Sequence, residues 1–413
     1  MYAYVARQPI IDRNGKIAGY ELFYRDARNP NSAKIQDGDL ATMIVLSNAT
    51  DVFGFRELTD GLPAYINFTR NMLLNDLADH ASPSHVAIEV MEDVAVDDDL
   101  IDKLHDLKKA GFKLVMQKYS GQKKFRKLTS LFDVVRIDFS KLNSIRRREM
   151  SFNLAGPGME LLGEHVERLE DYSGARQMGY SLFQGYYFGQ PELCRKELPP
   201  LCDRSYGRLI VELMKPNPNM RAISGIVEND IMLSYHIQQR AKKNARQRGP
   251  AFKAPTDVRS ILQAMRPNEL WRLILVIMVR QMNATDSDKL LRQALTRARF
   301  VELLVIRTSN IEPQMGFLLG LFSKMEELTG ENVMRLLDGM RLDADLISAL
   351  NPVSRDSRNI FCQYLDFVDI FEMASEKLRL PPLPEELADY ELENMYNIAT
   401  SEAEEMLAYA DVQ

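Results

Sequence analysis

The first half of the chain repeats one pattern: a short apolar run, a polar residue where the run ends, and a helical stretch before the next run. Such runs fall at Ala64 to Asn67, Val86 to Val90, Leu114 to Met116, Val134 to Ile137, around Leu161-Leu162 and at Leu182 to Gly185. Strands that are apolar throughout must be covered on both faces, and helices between them supply the cover, so the pattern calls for a parallel sheet clothed in helices. Leu40 to Phe53 and Asp97 to Ala110 read as two of those helices, the second with Leu100, Leu104 and Leu107 as its inward stripe. The opening differs: Val5 to Ile11, a turn on Asn14-Gly15, and Ile17 to Tyr24 read as an antiparallel hairpin. A closed barrel fits the count.

In barrels of this kind the carboxyl ends of the strands line the active site. The polar residues at those ends are Gln8, Glu21 with Arg25, Asn67, Glu89 with Glu92, Gln117-Lys118, Arg136 with Asp138, Glu164 with Glu167, and Gln184. A ring of carboxylates and amides suits Mg²⁺ or Mn²⁺, and two such ions can clamp the attacking water and the leaving oxygen of a phosphodiester. Any one of these positions, taken alone, is better explained as a solvated polar residue near a loop; the ordered set is more specific. After Met116 the pair is Gln117-Lys118, an amide and an ammonium where a metal site needs acids.

At 413 residues the chain is too long for one ordinary core, and two domains are expected. Pro191, Pro199 and Pro200 mark the boundary, giving domains at 1–197 and 198–413. Beyond it the strand signal fades, and Leu209 to Met214, Ile231 to Arg240, Arg259 to Met265, Glu269 to Met282 and Lys289 to Thr308 read as helices. In the last, Leu291, Leu295, Ala298, Val301 and Val305 mark one buried face. The helix around Trp271 is apolar on nearly all sides and is expected to be central.

A net charge of −6 argues against general nucleic-acid binding, which needs a basic surplus. The basic run Gln239 to Arg248 reads as a solvated helix end and loop, with an acidic partner or nucleic acid as the alternative. One such partner is internal, the acidic stretch Glu385 to Glu405. Cys194, Cys202 and Cys362 are too few and too scattered for a disulfide framework or a zinc cluster, which suits a reducing cytosol. Met1 to Gln8 lacks the basic and long apolar segments of a signal peptide, and Leu273 to Val279 is too short to span a bilayer. The expectation is a cytoplasmic protein without a membrane partner.

The ordered series Gln8-Pro9-Ile10, Gly19 to Arg25, Ile66 to Thr69, Glu89 to Glu92, Arg136-Ile137-Asp138, Gly163 to Glu167 and Gln184 to Phe188 resembles the motifs of the EAL domain. That resemblance implies a (β/α)₈-like barrel with one antiparallel strand and, in active members, hydrolysis of the bacterial messenger cyclic di-GMP with two Mg²⁺ or Mn²⁺ ions. Carried over by position, Glu21, Asn67 and Glu92 are the retained metal ligands, Glu164 the general base, and Glu167 a support for the metal site. Gln8, Arg25 and Gln184 fall where the family contacts ligand or water. The family's bridging Asp-Asp pair falls on Gln117 and Lys118, its catalytic lysine on Arg136, and its Glu-Ala-Leu reads Glu21-Leu22-Phe23.

Two bridging carboxylates are thereby lost and a cation is gained. At about 4 Å and an effective dielectric near 20, each unit charge shifts ion binding by roughly 4 kcal/mol, enough to exclude a weakly held Mg²⁺. The expectation is a silent domain with no metal and no cofactor, in which Lys118 substitutes for the lost ion by pairing with Glu21 or Glu92. In the second half, Arg297 to Leu304 and Phe317 to Ser323 resemble the HDOD module, a relative of the HD phosphohydrolases. His236 is the only histidine after His165, so an HD metal site cannot be assembled, and it reads as a packed residue.

The reading is α/β plus all-α: a degenerate EAL barrel followed by an all-helical HDOD domain, working as an inactive signalling adaptor through protein partners. The motility, biofilm or virulence processes linked to cyclic di-GMP come from the resemblance alone. The alternatives are a phosphodiesterase with an altered metal site, using Glu164 as base and Arg136 in the lysine's role with Mg²⁺ or Mn²⁺, and a sensor that binds cyclic di-GMP without cleaving it. A homo-oligomer stays open.

Overall fold

The computed structural model describes residues 2–26, 37–91, 94–121, 128–154, 158–215, 217–248, 255, 257–282, 287–373 and 387–410. The chain divides into two compact units, Met1–Leu198 and Pro199–Gln413.

The first unit is built on nine strands: β1 (Tyr2–Asp12), β2 (Ile17–Tyr24), β3 (Ala64–Phe68), β4 (Val86–Val90), β5 (Lys113–Met116), β6 (Val134–Asp138), β7 (Glu160–Glu164), β8 (Leu182–Phe183) and β9 (Glu192–Glu197). β2 to β8 pair in order and in parallel. β1 closes the ring, antiparallel to β2 on one side and to β8 on the other. Helices α1 (Gly38–Ser47), α2 (Phe55–Leu58), α3 (Arg70–Leu74), α4 (Asp98–Lys109), α5 (Ser144–Leu154) and α6 (Leu169–Gln177) fall between the strands. In α4 the cause of the fold is plain: Asp97 caps the Leu100 N–H, acids lead, lysines close, and Leu100, Leu104 and Leu107 are buried. The helix expected over Leu40 to Phe53 is α1 followed by a wider π-helical turn, Asn48–Phe53.

One strand escaped the sequence reading. β9 lies in the proline-flanked stretch read as a boundary, carries mostly exposed residues, and pairs with Tyr2 to Arg7 of β1.

The barrel interior is layered. Ile10, Tyr65, Ala87, Val115, Val134, Leu162 and Leu182 form one apolar layer, a residue from each of seven strands. On β2 the residue opposite Ile10 is Gly19, where a Cβ would lie 2.7 Å from the Tyr65 ring. Side chains alternate along a strand with period two, so the next inward layer is fixed two residues on, or two back on the reversed β1. That layer is Gln8, Glu21, Asn67, Glu89, Gln117, Arg136, Glu164 and Gln184.

The second unit is helical: α7 (Ser205–Leu213), α8 (Met220–Asn229), α9 (Ile231–Arg248), α10 (Val258–Ala264), α11 (Pro267–Met282) and α12 (Asp288–Thr308). There follow α13 (Pro313–Phe322), α14 (Met325–Thr329), α15 (Val333–Leu337), α16 (Ala344–Leu350), α17 (Ile360–Met373) and α18 (Asp389–Ala410). α11 is apolar and buried around Trp271, as the sequence suggests. α12 departs from its expected single buried face. Arg297, Arg299 and Glu302 are buried along with its apolar stripe, because α13, α17 and α18 all pack on it. α13 comes in closely through Gly320, where a Cβ would sit 2.7 Å from the Ala298 Cα and the Arg297 carbonyl.

Acids from α17 and α18 answer the buried arginines. Arg297 donates to Glu372 at 2.6 Å and to Asp369, and Arg299 donates to Glu302 at 2.8 Å and to Glu402. The acidic terminal stretch therefore pairs with α12. From the basic run, Lys243 donates to the Ala408 carbonyl of α18 at 3.4 Å. Among the described residues no helix is long and apolar enough to cross a membrane.

Candidate functional site

The inward polar layer of the barrel is a closed circuit of hydrogen bonds. Asn67 Nδ2 donates to Glu21 Oε1 at 3.4 Å, and Gln117 Nε2 donates to Asn67 Oδ1 and, at 2.6 Å, to Glu89 Oε2. Arg136 then joins the two carboxylates: Nη1 donates to Glu89 Oε1, and Nη2 donates to Glu21 Oε2 at 2.7 Å. Gln184 braces the junction, accepting from Arg136 Nη2 and donating to the same Glu21 oxygen at 3.0 Å. Arg136 Nε faces Glu164 Oε2 at 3.6 Å, an ion pair without a hydrogen bond.

Burial makes this circuit electrostatically strong. Arg136 is 1% exposed and Glu89 fully buried. Burial alone would lower the arginine, but Glu21, Glu89 and Glu164 outweigh it and hold the guanidinium well above its ordinary range. Burial pushes the Glu89 carboxyl up to about 8, against the pull of Arg136 and with the help of Glu21. Three carboxylates face this one guanidinium.

The chain turns sharply as it leaves the layer. Lys118 and His165, directly after Gln117 and Glu164, have φ of 46° and 57°. Such conformations disfavour non-glycine residues and collect at functional sites. His165 Nδ1 lies 2.9 Å from Asp138 Oδ1. Burial works to raise the Asp138 carboxyl, yet bonds from the Ser140 N–H and hydroxyl, with His165 beside it, hold it below its ordinary value.

The structure thus brings together Glu21, Asn67, Gln117, Arg136, Glu164 and Gln184. Gln8 sits opposite Glu21 on β1 but donates to the Gly189 carbonyl at 3.0 Å. Arg25 lies just past β2, with Nη1 on the Tyr24 carbonyl at 2.9 Å, and burial lowers it. Glu167 is exposed beyond β7, outside the circuit. Glu92 lies outside the described residues, and the carboxylate that β4 puts in the layer is Glu89, two residues past the apolar layer's Ala87. The period-two alternation points to Glu89; carrying the motif onto its second glutamate passed over it. Of the expected pairing of Lys118 with Glu21 or Glu92, the first is corrected and the second falls outside the described residues. Glu21 is held by Arg136, and Lys118, half-buried, makes no hydrogen bond or ion pair among the described residues.

Among the described residues no group of three or more His, Cys, Asp or Glu side chains is arranged to hold a metal ion. The donor set explains why. The inner oxygens of Glu21 and Glu89 accept from a guanidinium, and Gln117 turns N–H rather than a lone pair toward Asn67 and Glu89. As arranged, these residues do not fit a pair of divalent ions.

Comparison with known proteins supplies the class. Residues 66–191 match the EAL domain. That match runs from β3 to β8 of the barrel, and the EAL domain is one associated with cyclic di-GMP signalling. The chain as a whole is similar to the uncharacterized protein YuxH of Bacillus subtilis, 29% identical over 381 residues covering 90% of this chain and 91% of the relative. It is also similar to the cyclic di-GMP phosphodiesterase CdgJ of Vibrio cholerae, 23% identical over 374 residues covering 90% and 85%. Among solved structures, an EAL domain protein from Listeria monocytogenes is 24% identical, covering 46% of this chain and 88% of that one with a TM-score of 0.38. A calcium and cyclic di-GMP complex of Klebsiella pneumoniae BlrP1 is 20% identical, covering 46% and 56% with a TM-score of 0.39.

Proposed function

We propose that this chain serves cyclic di-GMP-linked signalling as an adaptor that engages protein partners and does not hydrolyse the dinucleotide. The observation that carries the reading is the closed circuit: the side chains at the barrel mouth satisfy one another through Arg136 instead of presenting oxygens to ions. Phosphodiester hydrolysis by this family depends on two ions, and the positions of the bridging acid pair hold Gln117 and Lys118. The helical unit is read as an HDOD module on the resemblance of Arg297 to Leu304 and Phe317 to Ser323, with no histidine set for chemistry of its own. Large exposed apolar side chains suit a protein-binding role: Phe152, 83% exposed, and Ile145 on α5, and Tyr186 beside the barrel mouth. The cellular process is among those that cyclic di-GMP governs, motility, biofilm formation or virulence.

A second reading has one observation in its favour, the similarity to a protein described as a cyclic di-GMP phosphodiesterase. In that case Glu164 is the base, Arg136 replaces the lysine and Mg²⁺ or Mn²⁺ is required. The test is incubation of the purified chain with cyclic di-GMP and Mn²⁺, following the linear dinucleotide by chromatography. The adaptor reading expects none above the buffer control. Turnover that disappears in Glu21→Ala overturns it in favour of the enzyme. Calorimetric titration with cyclic di-GMP then separates the adaptor, with no heat of binding, from a sensor that binds without cleavage.

A further inference from the structure

An EAL barrel that does without divalent ions still has to hold its inward carboxylates together. Glu21 and Glu89 stand on different strands with β3 between them, and both are buried, where like charges repel most strongly. In this chain one side chain meets that need. Arg136 reaches from β6 to Glu89 on β4 and Glu21 on β2 with its two terminal nitrogens, and its Nε lies 3.6 Å from Glu164 on β7. Gln117 and Gln184 complete the shell with their amides, each bonded both to a neighbour and to one of the two bridged carboxylates. The planar guanidinium presents donors in a fixed fork that matches two carboxylates, which a lysine's single ammonium does not.

We infer that Arg136 is the resident cation of this barrel, holding Glu21 and Glu89 together in place of a metal ion, and that it is the residue that keeps divalent ions out. The inference rests on the non-hydrolytic reading and names the group responsible for it. Its chemistry is simple exchange: one charge, three donated hydrogen bonds and the ion pair to Glu164 leave with Arg136, and three carboxylates with the Asn67 amide oxygen stay behind. Oxygen sets of that composition suit Mn²⁺ or Mg²⁺.

The experiment uses the full chain and compares wild type, Arg136→Met, and Arg136→Met combined with Glu21→Gln and Glu89→Gln. Thermal unfolding is followed in EDTA and across a MnCl₂ titration. The expected result has three parts. The wild-type midpoint is indifferent to Mn²⁺; Arg136→Met melts several degrees lower in EDTA and climbs with Mn²⁺ concentration; the triple variant loses the Mn²⁺ response and recovers part of the EDTA deficit. Where Arg136→Met does not fold in EDTA, refolding with Mn²⁺ is the readout, recovery supporting the inference and failure in both conditions overturning it. A wild type stabilised by Mn²⁺ as strongly as the variant overturns it too, as does an Arg136→Met protein unmoved by Mn²⁺. Dinucleotide cleavage by the wild type defeats the functional reading, whereas a wild-type Mn²⁺ response defeats this inference whether or not cleavage occurs.

Discussion

Arg136 and Lys118 illustrate how far apart two cations of one barrel mouth can stand in energetic terms. Arg136 is buried and bound on both terminal nitrogens, so Arg136→Ala leaves uncompensated buried charge and is expected to destabilise the barrel by about 3–5 kcal/mol in urea titration. Lys118 has no partner among the described residues, and Lys118→Ala is expected to change stability by less than about 0.5 kcal/mol. His236 gives a pH-dependent counterpart in the helical unit. Burial, with Arg280 nearby, depresses it to about 4, and its Nδ1 has no hydrogen-bond partner. Between its ordinary 6.5 and about 4 the unfolded chain binds the extra proton, so stability is lost as pH falls through that window. The loss is up to about 3 kcal/mol and is expected to shrink in His236→Gln, checked by denaturant titration at pH 7 and pH 4.5. At this scale the sequence was legible where strand periodicity applied. Glu89 follows Ala87 by two residues, whereas the reach of Arg136 to Glu21 spans 115 positions and exists only once the barrel closes.

Among the elements, the parallel strands were legible because each is an apolar run bounded by polar or turn residues. β9 was not, since an edge strand of exposed residues has no hydrophobic signature to read and lies between prolines. α12 shows a different limit. Its apolar spacing marks one face, but the burial of Arg297 and Arg299 depends on acids from α17 and α18, far along the chain. Two glycines in helices of this unit behave in opposite ways. Gly320→Ala places a methyl 2.7 Å from backbone atoms of α12 and is expected to cost about 1–3 kcal/mol. Gly225 in the middle of α8 has nothing within 4 Å of its missing Cβ, and Gly225→Ala is expected to add about 0.5–1 kcal/mol. Chemical denaturation of the two variants tests the contrast.

For the molecule as a whole, two units with separate cores account for a chain this long. The compact units divide after Leu198, and β9, inside the proline-flanked stretch, carries the barrel's own pairing up to Glu197. Each unit has its own interior, so urea unfolding watched by circular dichroism and by the fluorescence of Trp271, the single tryptophan, is expected to give non-coincident transitions. The account as a whole stands on the barrel mouth being closed on itself. Diffraction from crystals soaked in MnCl₂, recorded for manganese anomalous scattering, tests this most directly. The account predicts no anomalous peak within the inward layer and Arg136 still bridging Glu21 and Glu89. Two peaks there, ligated by Glu21, Asn67 and Glu89 with the guanidinium swung aside, would contradict it.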